Sequence, residues 1–149
     1  MNIEWHIKEF HQLSLDELYG ILNLRNEVFV VEQNCVYLDT DYKDQHSLHI
    51  FLKDGKEILA YSRVYTSDTN KGEISFGRIL VKSSSRKRGL AKELLKRTLK
   101  CIEDTYGIKP VRIHAQCYLS KFYEEFGFVK SSEEFLEDGI PHVEMVKNN

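Results

Sequence analysis

Arg86-Lys87-Arg88-Gly89-Leu90-Ala91 lies between an apolar run ending at Val81 and an amphipathic run beginning at Leu90. A strand, a glycine turn and a helix in that order aim free backbone N–H groups and the positive end of a helix dipole at one point, which stabilises an anion there. Two arginines and a lysine add charge to the same loop. Six such residues also suit a solvated surface turn, so the reading depends on what flanks them.

Downstream, Leu90, Ala91, Leu94, Leu95, Leu99, Ile102 and Tyr106 recur at helical spacing, and Gly107 is placed to end that helix. After Pro110, Val111 to Ala115 reads as a strand. Reached from the strand Ile74 to Val81 through a helix, it makes a right-handed parallel crossover. Upstream, Ser47 to Lys53 and Ile58 to Thr66 flank an Asp54-Gly55 hairpin signal, and a polar turn from Asp68 to Gly72 leads on to the third strand of an antiparallel meander. Trp5 to Phe10 reads as a first strand. Ser14 and Glu17 form a capping box for a helix whose apolar face is assigned to Leu15, Leu18, Tyr19, Leu22 and Phe29. Val31 to His46 reads as a loop. Phe128 to Ser131 and His142 to Lys147, bridged by Asp138-Gly139-Ile140-Pro141, read as a last antiparallel pair. The expected fold is a single α/β domain spanning 1–149, a mixed and mostly antiparallel twisted sheet flanked by helices.

One strand beyond the amphipathic helix comes Tyr118-Leu119-Ser120-Lys121-Phe122-Tyr123-Glu124-Glu125-Phe126-Gly127-Phe128, a short aromatic helix closed by glycine. Arg86, Gly89 and Ala91 fill the fixed positions of an Arg-x-x-Gly-x-Ala loop, and Tyr123 stands four residues before Gly127-Phe128. In both respects, and in their order, the chain resembles the GNAT N-acetyltransferase family. Leu24-Arg25-Asn26-Glu27-Val28-Phe29-Val30-Val31-Glu32-Gln33-Asn34-Cys35 and Glu137-Asp138-Gly139-Ile140-Pro141-His142 are similar to its ElaA-type subgroup, so the resemblance covers nearly the whole chain.

The resemblance implies a GNAT fold with acetyl-CoA as the acyl donor and a primary amine that attacks the thioester directly. The pantetheine arm is expected between strands splayed at their C-terminal ends, pairing with backbone groups of Ile79, Leu80 and Val81. The pyrophosphate would lie over Lys87 to Ala91, with Arg86 and Arg88 adding charge, and a backbone N–H near Leu80 would donate to the developing oxyanion. Tyr123 is placed to protonate the leaving thiolate. Tyr118 is a substitute for that role and a further cofactor contact. Gln116 stands where many family members carry Asn, keeping donor and acceptor with one more methylene. Tyr123 equally reads as a packing aromatic beside Phe122 and Phe126.

The general base stays open among Glu32, Glu73, His46, His114, His142 and Glu144. Glu73 opens the central strand, and His142 belongs to the second subgroup motif. Arg25, Glu32 and Gln33 are candidate readers of a charged substrate, because Glu32 and Gln33 are costly to bury without partners.

Composition bounds the rest. A chain of 149 residues, 42% hydrophobic, can bury one core, and a net charge of −2 disfavours nucleic acid as the main partner. No run approaches the ~20 apolar residues of a membrane span, and the N-terminus lacks a basic segment followed by an apolar one, so a cytoplasmic protein is expected. Cys35, Cys101 and Cys117 fit reduced thiols better than disulfides. His46 and His49 with Asp39, Asp41 and Asp44 match no zinc or calcium spacing, and no metal is expected. The expected partner is a small-molecule or peptide amine, with a homodimer left open. Two other classes fit the same features: an acyl-CoA-binding module without turnover, and a dimeric interaction domain in which Gly89 merely caps a turn.

Overall fold

The computed structural model describes residues 3–67 and 73–148. In chain order the elements are β1 (Ile3–Glu9), α1 (Leu15–Arg25), β2 (Leu48–Asp54), β3 (Glu57–Ser67), β4 (Glu73–Val81), α2 (Leu90–Tyr106), β5 (Val111–Gln116), α3 (Ser120–Glu124), β6 (Val129–Lys130), β7 (Phe135–Glu137) and β8 (Ile140–Lys147). They form one sheet in the order β1-β2-β3-β4-β5-β8-β6, with β7 also on β8. Among the described residues only β4 and β5 are parallel. The fold is the expected mixed, mostly antiparallel sheet. Gly55, at φ 62°, takes the left-handed turn between β2 and β3, whereas the turn expected at Asp68 to Gly72 lies outside the described residues.

Helices cover both faces. Leu94, Leu95 and Ile102 of α2 pack with Ile50, Leu52, Phe76, Tyr123 and Phe128 in one core. Ile21 and Leu24 of α1 pack with Phe51, Ile58, Tyr61 and Leu80 in the other. A fully buried leucine contributes about 1.5–3 kcal/mol, so Leu94 and Leu95 seat α2 firmly.

The face assigned to the first helix is corrected: Leu15 and Tyr19 are 86% and 78% exposed, and the buried positions are Glu17, Ile21, Leu24 and Arg25. Apolar residues surround α1, so their spacing does not select a face, and buried charges help define the true one. The chain then continues as a π-helical segment, Asn26–Glu32. At the other end the expected antiparallel pair forms as β6 on β8, and the correction concerns the turn: Asp138-Gly139 joins β8 to an additional strand, β7, and not to β6.

Two buried polar systems hold α1 and the loop after it. Glu17 accepts from the Ser14 N–H (2.9 Å), Lys8 (3.0 Å) and Lys53 (2.9 Å). Burial raises its carboxyl pKa, but the Ser14 N–H and the two ammonium groups outweigh this and bring it from 4.5 down to about 2. Arg25, 0% exposed, donates to Asp39 Oδ2 and Asp44 Oδ1, both at 2.7 Å. Arg63 of β3 binds Asp41 and Asp44, and Arg78 of β4 binds Asp39 Oδ1 at 2.7 Å. Three arginines from three elements thus fasten one acidic loop.

A depressed folded pKa stabilises above the unfolded value and is lost as pH falls through the folded one. Glu17→Gln is therefore expected to lose about 2 kcal/mol near pH 7, with wild type and variant converging toward about pH 2 in urea titrations. Arg25→Ala leaves Asp39 and Asp44 short of a cation and should cost about 3–5 kcal/mol in the same measurement.

Candidate active site

The parallel strands β4 and β5 pair at Ile74 and Val111 and, among the described residues, nowhere else. Their C-terminal parts face a cleft of about 960 Å3. β4 forms one wall and Arg112 to Gln116 the other, with Arg86, Lys87 and Gly89 to Lys92 contributing at one end and Glu137, Asp138, Ile140 and His142 at another.

β4 carries a bulge. Tyr61 lies opposite Leu80 and Arg63 opposite Gly77, two steps on β3 against three on β4. The extra residue is one of Arg78 and Ile79, which lie opposite Ser62 alone, and Arg78 adopts a left-handed φ of 52°. An unpaired residue turns part of the strand's backbone out of the ladder. Ile79, Leu80 and Val81 all line the cleft.

At the loop end, Lys87 and Gly89 have φ values of 66° and 75°, a concave arrangement of backbone N–H groups that favours anions. α1 is capped by Ser14, whereas Gly89 at the start of α2 offers no side-chain cap. The first N–H groups of α2 thus have no capping side chain, and Leu90, Ala91 and Lys92 line the cleft. This backbone fits the diphosphate of a coenzyme A-type donor.

The side chains expected to assist are arranged differently. Arg86 grips both carboxylate oxygens of Glu32 and donates through Nε to Val81 O at 3.0 Å. Its hydrogen bonds lower the Glu32 carboxyl pKa. Arg88 is exposed and outside the cleft wall, while Lys87 and Lys92 belong to it.

Tyr123 is 4% exposed and lines the cleft among the rings of Phe76, Phe122 and Phe128, with centroids at 6.2, 5.3 and 5.9 Å. Burial pushes its phenol far above the ordinary value of 10, so the hydroxyl keeps its proton across the physiological range. Tyr118, 73% exposed, lines the same cleft. Gln116 faces Gln33, their amides meeting at 3.4 Å.

The base candidates separate by their partners. Both oxygens of Glu73 lie 3.0 Å from Arg112 Nε. Glu144 binds Arg112 and Ser131, and His46 is exposed outside the cleft wall. His142 is buried, lines the cleft and donates from Nδ1 to Ile140 O at 2.7 Å. His114 lies 3.1 Å from Glu137. Of the expected substrate readers, Glu32 and Gln33 line the cleft. Arg25 is corrected: it is buried beneath the acidic loop and absent from the wall. His49 sits between Tyr61 Oη at 2.6 Å and Asp44 O at 2.9 Å.

Sequence reasoning missed the bulge, Arg112 and the placement of Glu137. Gly77 inside a strand pattern was the available signal for the bulge. Arg112 and Glu137 acquire partners only through the pairing of distant strands.

A family model described as Acetyltransferase (GNAT) domain matches residues 13–149. Protein ElaA of Escherichia coli (strain K12) is 38% identical over 147 residues, covering 97% of this chain and 96% of that protein. The crystal structure of Escherichia coli ElaA superimposes with a TM-score of 0.92 at 37% identity, covering 98% of this chain and 99% of the other. An acyl-CoA N-acyltransferase from Pseudomonas aeruginosa gives the same TM-score of 0.92 at 37% identity, covering 97% and 99%. By sequence and by structure, the chain belongs to the GNAT family of acyltransferases.

Proposed function

We propose that the protein transfers an acetyl group from acetyl-CoA directly to a primary amine, carried by a small molecule or a peptide, in the cytoplasm. The observation that carries this reading is the unpaired stretch of β4 facing the cleft between the uncapped start of α2 and the buried Tyr123. Acetyl-CoA supplies an activated thioester carbonyl and a thiolate leaving group. The chain supplies everything else.

The N–H groups of Leu90, Ala91 and Lys92, with the loop amides at Lys87 to Gly89, hold the diphosphate. Ile79, Leu80 and Val81 offer main-chain groups to the amides of the pantetheine arm, and Gln116 approaches it from β5. A backbone N–H near Leu80 donates to the oxygen that gains charge as the amine attacks. Tyr123 holds its proton at rest and directs its O–H to the sulfur that gains charge as the thiolate departs. Glu73, one of the candidates for the base, is held by Arg112 Nε at 3.0 Å.

Tyr123→Phe preserves the packing and removes the proton. Acetyl-CoA affinity measured by isothermal titration should be retained, while thiol release in the presence of an amine falls roughly 100-fold. Unchanged turnover would remove Tyr123 from the mechanism.

Gly89→Val acts at the other end. A Cβ there meets nothing within 4 Å, so the damage comes from the left-handed φ of 75°. Forcing a branched residue into that region costs about 1–2 kcal/mol, and a relaxed loop loses its anion cradle. Acetyl-CoA affinity should drop about tenfold or more. Dephosphorylated pantetheine should bind both proteins alike. Failure of the wild type to bind acetyl-CoA at all would overturn the proposal.

A further inference from the structure

Glu137 of β7 lies between two imidazoles. Its Oε1 is 3.1 Å from His114 Nδ1, and its Oε2 is 3.6 Å from His142 Nε2. All three residues line the cleft.

The protons on His142 can be assigned from its partners. A carbonyl only accepts, so the 2.7 Å contact with Ile140 O places a proton on Nδ1. In the neutral ring Nε2 is then an acceptor, and it faces a second acceptor, Glu137 Oε2. Two lone pairs converge there without a proton between them. His114 differs, because its two nitrogens face the carboxylates of Glu137 and Glu144, at 3.1 and 3.9 Å. That setting favours the cationic ring, and the Glu137 hydrogen bond raises the His114 pKa. One oxygen of Glu137 is thus engaged by His114, and the other is directed at His142.

Strand register puts this pair beside the donor's expected path. Gln116 lies directly opposite His142, and residues so paired share a face of the sheet about 5 Å apart. The remaining charges near the pair are Arg78 of β4, which acts on Glu137, and Lys43, which acts on His114. Of the other carboxylates lining the cleft, Glu32 is held by Arg86, Asp41 by Arg63 and Glu73 by Arg112, while Asp138 follows Glu137 in the turn to β8.

We infer that the acceptor amine docks as its ammonium ion against Glu137 Oε2 and His142 Nε2, and that His142 takes its proton. This inference rests on the acetyl-transfer reading and names the acceptor subsite within it. One N–H bond of the ammonium breaks and the proton passes to Nε2, which forms an imidazolium next to Glu137. The amine nitrogen recovers its lone pair and becomes the nucleophile. After product release the imidazolium returns the proton to solvent. Glu137 binds the cation and stabilises the charge that moves onto His142.

The test uses n-butylamine as the probe, n-butanol as its uncharged control, and the full chain labelled with 15N-histidine. At about pH 8 His142 should carry its proton on Nδ1, and butylammonium, unlike butanol, should shift its Nε2 resonance. Glu137→Gln should weaken that response about tenfold and raise the KM for butylamine about tenfold in a thiol-release assay. Acetyl-CoA affinity should change by less than about twofold, showing an intact fold. His142→Asn should lower kcat/KM for butylamine roughly 100-fold with acetyl-CoA affinity retained. A proton found on His142 Nε2, no response to the amine, or a Glu137→Gln variant identical to wild type overturns the inference. If acetyl-CoA fails to bind while the amine response persists, acetyl transfer falls and the ammonium subsite stands.

Discussion

Backbone pairing between β4 and β5 stops after Ile74 and Val111. A parallel pair in the middle of a sheet ordinarily satisfies its N–H and C=O groups along its length, and buried groups left over must find partners elsewhere. Here they face a cleft. The β4 bulge extends the interruption to the β3 side, and the left-handed Arg78 is tied down by Asp39. The two cores provide rigidity on both faces, so the interrupted region is the part of the sheet still able to pair with an extended ligand.

The arginine network is the counterpart of that interruption. Arg25, Arg63 and Arg78 reach one acidic loop from α1, β3 and β4. A buried ion pair adds little net stability but strongly penalises arrangements that separate its members. Its role is therefore to fix where the loop and the bulge lie relative to each other. The chain accordingly keeps buried charge in α1.

Much of this was legible from local pattern. The hairpin at Asp54-Gly55 and the helix ending at Gly107 were readable because each depends on a few adjacent residues, and Gly55 and Gly107 both have positive φ. The turn with positive φ at Lys87 and Gly89, and Tyr123 in the cleft lining, lie where the two motifs stand in the sequence. What escaped depends on distant partners. The buried face of α1 includes Arg25, whose partners are 14 and 19 residues away. β7 spans only Phe135–Glu137, too short to show alternation. Glu137 appeared only as part of a motif, and its meaning comes from His114 and His142, which β8 brings beside it.

The Glu32 and Arg86 pair joins the segment after α1 to the loop before α2, and both side chains are about two-fifths exposed, 40% and 39%. Exposed ion pairs are worth about 0–1 kcal/mol, close to thermal energy. The amide contact between Gln33 and Gln116, at 3.4 Å, is weak by its length. Two fragile struts therefore cross a cleft whose walls are anchored by full cores. Separating them takes little work, and raising the ionic strength weakens the charged one further. Entry of a long, flexible donor need not await any large rearrangement of the fold: the threshold is set by side chains that thermal motion alone can part.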